Sequence, residues 1–332
     1  SYDCSAQGTL VFRIWNILYW LFLAAALLWC IPIVSDFLQE GTVTLSAGLL
    51  GMLFFIMLVG SVDLVIQNQA WACWLRSSAG HPRFLEGVWL TAACALANLI
   101  IPLRSGVALR LAYMRLQHQV RVGAMVMGVG VSYVMTLFVG VVLLLLALPG
   151  LSSAMTGSFN YAEVLGYLII AIGLAAVGAF FLLSRNGKGE FSRISLFIDR
   201  LRADLGWVLE RPGTIYRLFF WTVASAMIEV AVLYLAHMVL GISLGVQSLL
   251  WLAGMMTLSV FISVTPAGIG IQEGVLVALL ALQGVAIDTG MQIALLRRMA
   301  PSVPVIIVGL PAWVWLSKAL RQAWREASPH YS

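Results

Sequence analysis

The chain has 332 residues, of which 61% are hydrophobic and only 10% charged. Soluble domains carry about 25% charged residues, so this composition excludes a soluble globular protein and fits helices whose surfaces face lipid. The formal net charge of +5 does not indicate nucleic acid, because Lys and Arg cluster in loops between apolar runs, a pattern of membrane orientation and of affinity for anionic headgroups.

A spanning helix needs about 20 apolar residues. Six runs qualify: 14–34, 45–67, 122–147, 164–183, 218–240 and 290–316. The first follows Arg13 and looks superficially like a signal peptide. It is longer than an apolar signal core of about 7–15 residues and no A-x-A site follows, so it is read as a retained helix. Shorter apolar pieces lie at 87–101, 249–264 and 274–286.

Loops 35–44, 148–163 and 241–248 contain no Lys or Arg. Stretch 68–86 carries Arg76 and Arg83, and 102–121 carries Arg104, Arg110, Arg115 and Arg121. Loop 184–217 is the most basic, and the tail holds Lys318, Arg321 and Arg325. The positive-inside rule puts the basic stretches in the cytoplasm and the empty loops outside. Segment 87–101 then enters from the cytoplasm and comes back, and 249–286 enters from outside and returns. This predicts an all-α polytopic membrane protein of six full spans plus two re-entrant helical hairpins, with both termini cytoplasmic. Each half reads span, span, hairpin, span, and the halves have opposite orientation: an inverted-topology repeat of 10–147 and 164–320 within one transmembrane domain, 1–332. In the connector 184–217, apolar residues alternate with Arg193, Arg200 and Arg202 as in an amphipathic helix on the cytoplasmic leaflet.

Two Pro/Gly-punctuated stretches occupy corresponding places. One is Ile101-Pro102-Leu103-Arg104-Ser105-Gly106, followed by Arg110; the other is Thr265-Pro266-Ala267-Gly268-Ile269-Gly270, followed by Glu273. Interrupted apolar segments at matching positions in two halves point to a transporter's substrate site. The plainer alternative is that Pro102 and Pro266 kink ordinary helices.

Arg104 and Arg110 fall on the return limb after Pro102. Arginine at membrane depth is costly, and its rigid fork of donors suits phosphate oxygens. A helix starting near Ser105 and Gly106 also aims amides at an anion. The alternative is snorkelling to cytoplasmic headgroups, and Arg115 and Arg121 read as interfacial anchors. Gly268 and Gly270 permit close backbone approach before Glu273. Glu273 is able to pair with Arg104 or Arg110, to bind a proton or cationic headgroup, or to be neutralised by Arg297 or Arg298 in the last span. Asp63 and Glu229, inside spans, are proton-coupling candidates; solvation near the cytoplasmic end of its run is the alternative for Asp63. His237 reads as interfacial, and the twelve Trp residues mostly sit at span ends as an aromatic belt. The cysteines Cys4, Cys30, Cys73 and Cys94 have no CxxC spacing and read as free thiols. No metal-ligand cluster, nucleotide loop or cofactor motif is visible.

The stretch Asn98 to Arg121 resembles the P-G-R-x-G-E-x-x-R region of the lysylphosphatidylglycerol synthase transmembrane (flippase) family. Thr265 to Gly284 resembles its P-G-G-x-G-x-R-E-G segment, and Arg297 resembles an arginine the family often places in its final span. The resemblance runs over about residues 10–320 and includes the membrane half of the multiple peptide resistance factor, a lipid flippase. Leu103, Val107 and Gln272 depart from the family's Gly, Glu and Arg. The resemblance implies a bacterial inner-membrane transporter that moves an anionic phospholipid or polyprenyl-phosphate lipid between leaflets and is not an enzyme. Arg104, Arg110, Gly106, Pro102, Pro266, Gly268, Gly270, Glu273 and Arg297 would contact the substrate, with Glu273 and Arg297 as a switchable pair. A homodimer or a lipid-synthesis enzyme is a compatible partner. The alternatives are a membrane-embedded transferase, or its accessory subunit, acting on a lipid-linked sugar, and a non-catalytic scaffold.

Overall fold

A computed structural model describes residues 47–75, 82–101, 105–154, 212–261 and 265–327. The described helices are α1 (Ala47–Leu75), α2 (Phe84–Ile100), α3 (Ser105–His118), α4 (Val122–Ala154), α5 (Pro212–Val239), α6 (Val246–Ser259), α7 (Ile271–Leu282) and α8 (Ile287–Ala327). A single 3-10 turn, Pro266–Gly268, precedes α7. The contacts described below belong to one compact unit that begins at Phe54.

Four of the described helices are long and apolar enough to cross a bilayer: α1, α4, α5 and α8. They coincide with four of the six expected spans; the runs 14–34 and 164–183 lie outside the described residues. The observed ends reach beyond the apolar runs for local reasons. Pro212 opens α5 at the first helical position, where its missing N–H costs nothing, so residues 212–217 of the expected connector belong to this helix. The rest of that connector lies outside the described residues. Helix α1 continues through Gln67 and Asn68 to Leu75, with Gln67 Nε2 donating to Asp63 Oδ2 one turn earlier on the same helix at 2.6 Å.

The remaining helices are too short to span. At 1.5 Å per residue, α2 is about 25 Å long, α3 and α6 about 21 Å and α7 about 18 Å, against a hydrocarbon core of about 30 Å. Helices α2 and α3 form an antiparallel pair. Near the tip, Ser105 Oγ donates to the Ala97 carbonyl at 3.1 Å and the Gly106 amide to Asn98 Oδ1 at 2.8 Å. At the foot, Tyr113 Oη donates to Glu86 Oε1 at 2.7 Å. A Cβ on Gly106 would strike the Cys94 carbonyl, so glycine sets this close approach. The arginine-rich stretch 102–121 therefore contains a fourteen-residue limb, α3, with Arg110 turned inward and Arg115 exposed.

Packing crosses between the halves. The first short limb, α2, packs chiefly on α8, the last long helix of the second half; α6 packs chiefly on α4, the last long helix of the first. Helix α2 also touches the turn Pro266–Gly268. A core of Trp74, Leu90, Ala93, Met114, Met125 and Leu316 joins the α2–α3 pair to α1, α4 and α8.

Candidate functional site

Two polar regions interrupt the apolar packing. The first lies beside the α2–α3 pair. Arg110 is 6% exposed, and its Nη2 donates to Thr91 Oγ1 of α2 at 3.1 Å. Its guanidinium also lies beside the Cys94 thiol and 4.5 Å from the centre of the Trp71 ring on α1. No carboxylate pairs with Arg110 among the described residues. Charges this buried are ordinarily paired, because removing a cation from water costs several kcal/mol. A cleft lined by Asn68, Trp71, Arg83, Gly87 and Arg110 opens next to it. A Cβ at Gly87 would collide with Asn68 Oδ1, so glycine leaves that wall thin.

The foot of this hairpin is tied by Glu86 in the first turn of α2. Glu86 accepts from Tyr113 Oη and faces His118 Nε2, each at 2.7 Å, and its Oε2 accepts the Arg83 amide at 3.1 Å. Burial works to raise the Glu86 carboxyl. The hydrogen bonds from Tyr113, His118 and the Arg83 amide outweigh it and hold the group below the ordinary carboxylate range.

The second region joins α1, α5, α7 and α8. On α5, Ser225 and Glu229 are four residues apart and share a face. Ser225 Oγ donates to Asp63 Oδ1 at 2.6 Å, and Gln67 Nε2 donates to Asp63 Oδ2 at 2.6 Å. Arg297 Nε on α8 donates to Glu229 Oε1. The next residue, Arg298, points about 100° further round the helix. Its Nη2 donates to the Ala267 carbonyl at 2.9 Å and its Nε lies 3.4 Å from Glu273 Oε1. Glu273 Oε2 in turn accepts the Gly270 amide at 2.7 Å, capping α7. Thr265 Oγ1 closes the tip by donating to the Ile269 carbonyl at 2.9 Å. Gly268 and Gly270 take left-handed φ values of 73° and 84°, and so does Ala267 at 48°. A left-handed conformation costs an alanine about 1–2 kcal/mol. The bond from Arg298 to the carbonyl of this same residue helps hold it there.

The candidates therefore divide. Asp63, Glu229, Glu273 and Arg297 meet in one network, with Pro266, Gly268 and Gly270 forming the tip beside it. Arg110 stands apart and does not pair with Glu273. Of the two arginines expected as partners of Glu273, Arg298 takes it and Arg297 takes Glu229, so Glu273 and Arg297 are not the pair that the resemblance implies. The Gly106 amide is already bonded to Asn98, which removes it from an anion site at the start of α3. Pro102 and Arg104 lie outside the described residues. His237, expected at the interface, is buried at 1% exposure, and the Ile242 amide donates to its carbonyl at 3.0 Å. Trp74 and Trp251 are buried core residues, not members of a belt. Cys73 and Cys94 are free buried thiols. Sequence reading missed Trp71, Thr91 and Asn68, the neutral groups around Arg110. Thr91 lies on the helix that leads into the first Pro/Gly stretch, whereas Asn68 and Trp71 lie one helix earlier, on α1.

Apolar spans, short helical hairpins and charges held between them define a multi-pass helical membrane protein with polar sites at its hairpins. The chain belongs to the lysylphosphatidylglycerol synthase TM region family, whose model matches residues 12–309. No curated protein and no solved structure matches the chain significantly.

Proposed function

We propose that this protein is a lipid transporter of the bacterial inner membrane that moves an anionic phospholipid or lipid-phosphate between leaflets and catalyses no bond chemistry. The reading rests on Arg110: a buried guanidinium with no carboxylate among the described residues, next to a cleft that also presents Arg83. A phosphate oxygen would supply the missing counter-charge, and guanidinium–phosphate bonds are strong and directional. Membership of a family named for a lipid synthase supports a lipid as the ligand. The lipid's acyl chains would stay in the bilayer while its headgroup entered beside the first hairpin. The exchange of packing partners between the halves supports an inverted repeat, and the short limbs support re-entrant hairpins, with both termini cytoplasmic.

The test uses the full chain in vesicles of phosphatidylethanolamine and phosphatidylglycerol carrying a fluorescent phosphatidylglycerol. Quenching of the outer leaflet reports movement between leaflets. The wild type is expected to equilibrate the probe. Arg110→Ala should slow it about ten- to hundredfold, the worth of a charged hydrogen bond at about 1.5–3 kcal/mol. The exposed Arg115→Ala should not slow it. Equal rates for Arg110→Ala and wild type would reject this site.

A further inference from the structure

The network joining α1, α5, α7 and α8 does not balance its own charge. Among the described residues it contains three carboxylates, Asp63, Glu229 and Glu273, and two guanidiniums, Arg297 and Arg298. Each arginine is committed to one glutamate. Asp63 is left with neutral donors only, the Ser225 hydroxyl and the Gln67 amide. Among the described residues, the charged group that acts on Asp63 is another carboxylate, Glu229 on α5, which is itself held by Arg297 of α8. An ionised Asp63 held by neutral donors next to a second carboxylate is costly inside a span, and one proton resolves the conflict.

We propose that Asp63 carries one exchangeable proton and that its loading is coupled to the hairpin tip through the adjacent arginines of α8. The coupling, though not the proton site, rests on the transport reading above. Protonation adds a proton to an Asp63 carboxylate oxygen, breaks no other bond, and takes the network from one excess negative charge to none. With Asp63 ionised, its charge repels Glu229 and works against the bond from Arg297 to that carboxylate. With Asp63 neutral, Glu229 holds Arg297 alone. Any displacement of Arg297 is shared by Arg298, which bonds the Ala267 carbonyl and Glu273 at the tip of the second hairpin. A metal cation fits this site poorly. Hard cations require about six or more oxygen ligands, whereas here a hydroxyl and an amide already occupy both Asp63 oxygens.

Two measurements decide it. In detergent, infrared spectra of the wild type titrated with acid should show the carbonyl stretch of a protonated carboxylic acid that Asp63→Asn lacks. A wild-type spectrum with no band removed by that substitution at any pH overturns the proton site, whether or not lipid moves. In the vesicles above, a pH difference across the membrane should bias the leaflet distribution of the probe. One proton per lipid corresponds to about a tenfold change in ratio per unit of pH. Asp63→Asn should remove that bias while leaving downhill equilibration, and Ser225→Ala, which keeps the carboxylate, should retain it. A bias unaffected by Asp63→Asn, or equilibration by the wild type with no bias, overturns the coupling. If the wild type moves no lipid at all, the transport reading and the coupling fall together and the infrared result still decides the proton site.

Discussion

In the first hairpin a buried guanidinium, Arg110, meets a hydroxyl, a thiol and an indole ring. In the second, Glu273 meets a guanidinium and the amide that opens its own helix. Both lie on short helices packed against long ones, yet they treat buried charge differently. The charge of Arg110 is unanswered within the described residues, so its environment favours an anion from outside. The charges around Glu273 are answered internally, apart from the excess carried by Asp63, so that region is suited to holding and releasing a loop. The difference is one of partner chemistry, because neutral donors leave a charge available for a ligand and opposite charges do not.

The comparison is sharpened most by removing a partner from the answered side. Glu229→Gln strands Arg297, and thermal unfolding in detergent should show a loss of about 2–3 kcal/mol, somewhat below the range for fully buried pairs because the pair is partly exposed. Adding Arg297→Met should recover most of the loss, since a matched apolar replacement of an ion pair is often nearly neutral. A double variant as unstable as the single one would mean that Arg297 is not committed to Glu229.

A smaller effect concerns the foot of the first hairpin. Because the Glu86 carboxyl is held below its ordinary value of 4.5, its contribution is complete above that pH. It is lost as pH falls through the lowered value of the folded state. Wild type should lose about 1–1.5 kcal/mol more than Glu86→Gln over that acid range, the worth of one or two hydrogen bonds. Parallel pH curves for the two proteins would contradict the tie. The smallest expected change is at the tip, where Ala267→Gly relieves the left-handed alanine and should stabilise by at most about 1 kcal/mol. Destabilisation there would show that the alanine methyl makes a contact worth more than the strain it imposes.

How much of this was legible in the sequence follows from the physics of each feature. The four described spans were readable because apolar length alone decides whether a helix suits a bilayer. Helix α3 was harder, since its arginines lower its hydropathy and imitate a loop; only folding shows that Arg110 turns toward Thr91 and Arg115 away. The residues of the second network were visible as ionisable groups in apolar runs. Their pairing was not, because Arg297 and Arg298 are neighbours in sequence but point in directions about 100° apart on a helix. The burial of His237 was hidden for a related reason: its place near a helix end says nothing about how much protein packs around it.

The contrast between the two hairpins is tested most directly by retention of lipid on the purified protein. Native mass spectrometry should be run on wild type, Arg110→Ala and Arg298→Ala after the same exposure to phosphatidylglycerol. The account predicts bound lipid on the wild type and on Arg298→Ala, and its loss from Arg110→Ala. Lipid retained by Arg110→Ala but lost from Arg298→Ala would place the anion at the second hairpin and contradict it.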